Sequence, residues 1–239
     1  MRKLLMPPRG SIFIYAFLSF SIAMGQPSAG NSTPPAQPID SATSLYHKYL
    51  GDEDPIFNGT EHLVSDANFR GFSYFQSATA TKGFVLYDEL PYKDMDLLYD
   101  LMTDQLVLQD KAQYLITLRT DKVGSFTLFG HQFIHTPLGP GFYDMLYSGR
   151  LTILAKRTKV IEKTIDAGEI TRTVVSKDYY YALLNDKYYP LPNESRLLDL
   201  LADKKRECRL YLRTNKIKYN KDPEQAIISI AGYYNQISR

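Results

Sequence analysis

An α+β fold is predicted for this chain: an antiparallel β-meander curled into a barrel-like or sandwich body, followed by C-terminal helices. Three observations predict it. From about residue 71 to 190, short runs of alternating apolar and polar residues follow one another, divided by Gly, Asp, Asn and Pro. After Pro192 the apolar period lengthens to that of a helix. A chain of 239 residues with 44% hydrophobic and 23% charged content can also bury one sizeable core, without the bias of collagen or coiled coils.

Residues 1–25 read as a secretory signal peptide. Arg2, Lys3 and Arg9 precede an apolar stretch at 12–23, and Ala23-Met24-Gly25 offers small residues for a cut after Gly25. That stretch is too short for a membrane span, which needs about 20 apolar residues, and no later segment is longer, so the mature chain is expected to carry no transmembrane span. The leader holds three basic and no acidic residues, so the formal charge of +2 becomes −1 once it is removed. Gln26 stands where a lipoprotein would carry cysteine. The expected location is therefore periplasmic or outer-membrane-associated without a lipid anchor. Residues 26–42, rich in Pro, Ser, Ala and Gln, read as a flexible tether. An exported chain whose only cysteine is Cys208 forms no intrachain disulfide. The sequons at Asn31, Asn58 and Asn193 matter only in a host that glycosylates.

Residues 43–192 form the mainly antiparallel β region, preceded by a short amphipathic helix expected over 41–50. The clearest strand is 92–101, where Met95, Leu97, Tyr99 and Leu101 share one face and Asp94, Asp96 and Asp100 the other. Strands are predicted to continue at 105–108, 114–119, 126–135, 142–147, 151–159, 170–175 and 179–184. Residues 121–124, Ser148-Gly149, 166–168 and Asn185-Asp186 are the predicted hairpin turns. A meander of this spacing protects its edges by curling. Residues 193–239 are predicted to be a helical segment packed with it. Ser195 is a candidate N-cap, and Leu197, Leu198, Leu201, Cys208 and Leu212 make one stripe with a break near Asp203. In the last helix Asp222 caps, Pro223 takes the first position, and Ile227, Ile230, Ala231 and Tyr234 form the apolar face.

No H-E-x-x-H, C-x-x-C, Walker loop or G-x-S-x-G occurs, so no catalytic residue and no cofactor is predicted. Asp94, Asp96 and Asp100 share parity and are candidate calcium ligands, although a solvated strand face explains them more simply. His131 and His135 lie about 13 Å apart on an extended strand, too far to share a metal. The position of Cys208 on the helical stripe reads as a small buried hydrophobe. Residues 204–221 carry eight basic residues and one acid, and Lys204, Lys205, Arg206, Arg209 and Arg213 are the candidate binding residues for an anionic partner. The acidic counterpart runs from Asp88 to Asp110. Nineteen Tyr and no Trp suit strand packing or an interface, and the lack of Trp weighs against sugar binding.

The run 141–151, Gly-Phe-Tyr-Asp-Met-Leu-Tyr-Ser-Gly-Arg-Leu, then Lys156-Arg157, and the ending from 210–216 through Ala231-Gly232-Tyr233-Tyr234-Asn235, are similar to exported proteins of Bacteroidota that have no assigned activity. Tyr99-Asp100 and Asp104-Gln105-Leu106-Val107 fit the same pattern. The resemblance spans about residues 83–238. It implies an envelope location in a Gram-negative cell and carries no active-site residues.

The expected function is a non-enzymatic exported binding or interaction module. Its partner would be an envelope protein or an anionic envelope component, with no nucleic acid, and a homo-oligomer is compatible. The alternative is a carrier of a small apolar ligand inside the curled sheet. A carboxylate-dependent hydrolase stands third. Bulky residues expected to point inward, Tyr99, Leu115, Phe129 and Phe133, favour a filled interior.

Overall fold

A computed structural model describes residues 46, 47, 49–63, 69–166 and 169–238. The predicted signal peptide and tether lie outside the described residues, as do six of the ten residues of the helix expected over 41–50. The strands are β1 (Thr60–Glu61), β2 (Thr81–Tyr87), β3 (Leu90–Asp100), β4 (Gln105–Gln109), β5 (Leu115–Thr117), β6 (Val123–Leu128), β7 (His131–Thr136), β8 (Gly139–Tyr147), β9 (Leu151–Lys156), β10 (Lys159–Asp166), β11 (Glu169–Ser176), β12 (Tyr179–Leu184) and β13 (Lys187–Pro190). Helices α1 (Glu194–Leu200), α2 (Lys205–Thr214) and α3 (Pro223–Ile237) follow. The fold is thus α+β, an antiparallel meander with C-terminal helices.

Eleven strands make one sheet in the order β1-β5-β4-β3-β2-β6-β7-β8-β9-β12-β13, and β10 and β11 pair only with each other as a second, two-stranded sheet. The expected strand 126–135 is two strands. Phe129 and Gly130 both take positive φ and turn the chain there, which leaves Phe129 39% exposed instead of inward. Likewise 151–159 divides between β9 and the start of β10. Residues 120–122 form a 3-10 turn that crosses over instead of a hairpin, because β6 pairs with β2 and not with β5.

The sheet curls on itself. β3 and β8 are four ladder steps apart, about 19 Å in a flat sheet, yet the rings of Tyr99 and Phe142 sit 5.9 Å apart. Inside the curl Phe126 stacks on Phe133 at 4.6 Å, and Tyr99 meets both edge-on at 5.0 Å. Burying each such side chain contributes about 1.5–3 kcal/mol, so this aromatic cluster holds the curl closed. A polar clasp reinforces it: Asp104, in the β3–β4 turn, accepts from Tyr99 Oη and from Lys156 Nζ of β9 at 2.6 Å.

A second core forms where Leu151, Ile153, Ala182 and Leu184 of the sheet meet Leu197 and Leu198 of α1, Cys208 and Leu212 of α2, and Ile227 and Ile230 of α3. Asn193, not Ser195, caps α1, accepting from Arg196 N at 3.0 Å, while Ser195 lies within the first turn. Asp222 caps α3 and Pro223 opens it, as the sequence predicts. Arg157 joins the two cores. It donates to Asp144 of β8 (2.7 Å), to Asp178 (2.6 Å) and to Glu224 in the first turn of α3 (2.5 and 2.9 Å). Among the described residues no helix is long and apolar enough to cross a membrane.

Candidate functional site

Strand alternation assigns β3, β4 and β5 two different faces. Leu97, Tyr99, Leu106, Leu108 and Ile116 enter the curl, which leaves Leu98, Asp100, Gln105, Val107, Gln109, Leu115 and Thr117 on the opposite side. A β-bulge makes this possible. Gly83 pairs with Met95 but Val85 with Tyr92, so Asp94, at φ +56°, is an inserted residue and parity reverses across it. Tyr92 and Leu97 therefore share a core although one is even and the other odd.

The outer face is covered by a strap of residues 69–80. Ser73 O accepts from Leu101 N and Phe75 N donates to Tyr99 O, so the strap runs as a short partner of the end of β3. Lys159 fixes it from behind, donating to Phe72 O at 3.1 Å and to Tyr74 O at 2.6 Å with its ammonium 4.0 Å from the Phe72 ring centre. Burial holds the Lys159 ammonium below the usual lysine range, against the pull of Asp100 and Asp178. β1 borders the other side by pairing with β5. Between strap and sheet lies a groove of about 1030 Å³.

One polar cluster marks the groove floor. His62 Nδ1 lies 3.0 Å from Thr117 Oγ1, and its Nε2 lies 3.2 Å from Tyr74 Oη and 3.7 Å from Asp100 Oδ2. Burial, and then the charge of Asp100, push the Tyr74 phenol above its ordinary range, so it keeps its proton. The Tyr74 phenol and the Thr117 hydroxyl thus flank the imidazole, one at each ring nitrogen. Asp100 Oδ1 accepts from Met102 N at 2.9 Å and Thr103 N at 3.4 Å, whereas Oδ2 takes no hydrogen bond among the described residues. The backbone donors Met102 N and Thr103 N are thereby committed to Asp100.

Of the carboxylates singled out by sequence, Asp94 is exposed on the bulge, Asp96 pairs with Lys82 at 2.6 Å, and only Asp100 reaches the groove. No group of three His, Cys, Asp or Glu able to hold a metal occurs among the described residues. His131 contacts Asp144 at 2.8 Å, and His135 lies 2.9 Å from the carbonyl oxygens of Gly141 and Val123. Arg206, Arg209 and Arg213 are exposed along α2, whereas Lys204 and Lys205 are half-buried and Lys205 pairs with Asp199 at 2.5 Å. Two further acids of the acidic stretch pair with lysines nearby in the fold: Asp88 with Lys122 and Asp104 with Lys156, both at 2.6 Å. Cys208 is buried on its helical stripe, and burial pushes its thiol up to about 11.

Sequence reasoning missed His62, Tyr74 and Thr117, which come from three distant segments. Gln105 and Gln109, flanking Val107 at strand parity, were the available signal. Compared with protein families, curated proteins and solved structures, the chain matches none.

Proposed function

We propose that this protein is an exported, non-enzymatic binding module whose ligand site is the groove between the strap and the outer face of β3–β5. The observation that carries the reading is the groove itself, at the upper end of the size range of small-molecule sites, with an apolar patch and a few converging polar groups. A ligand inside the curl has no room among Tyr99, Phe126, Phe133 and Phe142, all fully buried against one another. Native mass spectrometry of the protein purified from its own host tests the reading. A stoichiometric small-molecule adduct is expected, lost in Ala80→Trp, which fills the groove wall, with the circular dichroism spectrum unchanged. An adduct that persists in Ala80→Trp places the ligand elsewhere and ends the proposal.

A second reading assigns an anionic envelope component to α2, where Arg206, Arg209 and Arg213 are exposed beside Leu210, itself 60% exposed. Reversing the charge of those three arginines leaves the groove adduct in place. It abolishes envelope association if this second surface is used.

A further inference from the structure

We infer that the groove takes an uncharged, hydroxyl-rich ligand, a segment of neutral oligosaccharide; the inference rests on the groove being the ligand site. Charge is the first argument. Among the described lining residues there is no Lys or Arg, and the groups that carry or can carry charge are Glu61, His62 and Asp100. A phosphate, sulfate or fatty carboxylate would meet two carboxylates and no lining Lys or Arg. A cationic ligand is opposed from the other side. The Lys159 ammonium, 4.0 Å from the Phe72 ring centre, already occupies one face of that ring.

Hydrogen-bonding capacity is the second argument. Gln105, Gln109 and Gln113 line one side of the groove, each with a carbonyl acceptor and an amide donor, and Thr103 and Ser73 add hydroxyls that do both. Sugar hydroxyls are likewise donor and acceptor, and paired neighbouring hydroxyls match an amide or a carboxylate. Asp100 Oδ2, which takes no hydrogen bond among the described residues, supplies the carboxylate acceptor. A wholly apolar ligand would bury these groups unpaired, at about 1–3 kcal/mol each.

The apolar share of the lining fits as well. Leu98, Leu115 and Phe72 pack as one patch with Val107 and Tyr74, a surface suited to the C–H faces of pyranose rings. Trp is the commonest platform for such stacking, and here Phe72 stands in its place. An extended peptide is the remaining neutral polymer, but it binds by adding to an open strand edge. The edge of β5 bordering the groove is closed by β1, and β1, the outermost strand, is only two residues long and offers a peptide little edge to extend.

The test is isothermal titration of the full mature protein with maltohexaose, cellohexaose and chitohexaose, alongside palmitate, a polygalacturonate oligomer and spermine. At least one neutral hexasaccharide is expected to bind one to one, with an affinity insensitive to added salt. Gln105→Ala with Gln109→Ala, both on the half-exposed outer face, should weaken it about tenfold or more while leaving the urea midpoint unchanged. Ala80→Trp should abolish it. If palmitate, polygalacturonate or spermine binds instead and Ala80→Trp blocks it, the oligosaccharide assignment is overturned and the groove reading stands. If a hexasaccharide binds but Ala80→Trp and the glutamine variant leave it unaffected, the sugar lies elsewhere and the assignment is overturned. Should none of the six bind, the assignment fails too, and the mass-spectrometric adduct alone decides whether the groove reading fails with it.

Discussion

Gly141 shows how one residue can govern the closure of the curl. Its φ is +77°, and a Cβ there would lie 1.5 Å from Asp104 Oδ2 and 2.6 Å from Lys156 Nζ. Those two atoms form the clasp, and Asp104 itself sits at φ +57° to reach it. Burial, with the nearby charge of Asp104, drives the Tyr99 phenol far above its ordinary range, so Tyr99 is always the donor. Gly141→Ala therefore strains the backbone and displaces a charged hydrogen-bonded pair, and a loss of about 2–4 kcal/mol is expected in urea denaturation. Gly130→Ala is the control. Gly130 also has positive φ, +79°, but a Cβ added there would meet nothing within 4 Å, so only the backbone cost of about 1 kcal/mol applies. Equal losses in the two variants would mean that the clasp contributes nothing to closure.

At the scale of elements, the β10–β11 hairpin is the outlier. Its ladder runs from Lys159↔Ser176 to Asp166↔Glu169, and among the described residues no other strand pairs with it except through a single bridge from Arg70 to Thr173. Near the tip Ile165 is 74% and Ile170 62% exposed. A two-stranded ladder without a packed face is marginal in water. Amides of the distal half should exchange about 10³-fold or more faster than those of β6 and β7, as read by hydrogen exchange with mass spectrometry. Protection equal to that of β7 would show that the tip is covered in solution. The contrast explains what was legible in the sequence. Alternation over 95–101 and the helical spacing of Ile227, Ile230 and Tyr234 are long signals imposed by burial, and they located β3 and α3. Phe129 at a positive φ and Asp94 as an inserted residue are single-residue events, invisible to a periodic pattern, so the β6–β7 turn and the bulge went unread. Ser195 and Asn193 both suit an N-cap, and only the hydrogen bond to Arg196 N separates them. The groove was hidden for another reason: His62, Tyr74, Asp100 and Thr117 meet only once β1, the strap, β3 and β5 are assembled.

For the whole molecule the question is whether two cores on one sheet unfold as one. β8 belongs to both, with Phe142 in one and Leu146 and Tyr147 against the other, and Arg157 bridges them through Asp144 on the sheet and Glu224 at the start of α3. The guanidinium is buried, which by itself disfavours its charge, but Glu224 and Asp144 outweigh that and keep it protonated. The protein carries its own reporter of the helical core, since its only cysteine, Cys208, is buried there. In the folded chain the thiol keeps its proton up to about 11, whereas the unfolded chain releases it above about 8.5. Cys208 therefore favours the fold fully below the unfolded value, and that contribution is lost as pH rises through the folded one. At pH 8 the native protein should react with a disulfide reagent only as fast as the helical core opens. In wild type, thiol exposure and loss of the tyrosine near-ultraviolet signal should follow one urea transition. Glu224→Ala removes a bidentate charged contact worth about 1.5–3 kcal/mol while Asp144 and Asp178 still hold Arg157. Thiol exposure should then come at lower urea than the loss of the aromatic signal from Tyr99, Phe126 and Phe133. If both transitions move together, the sheet alone couples the cores, and the Arg157–Glu224 contact adds stability without adding cooperativity.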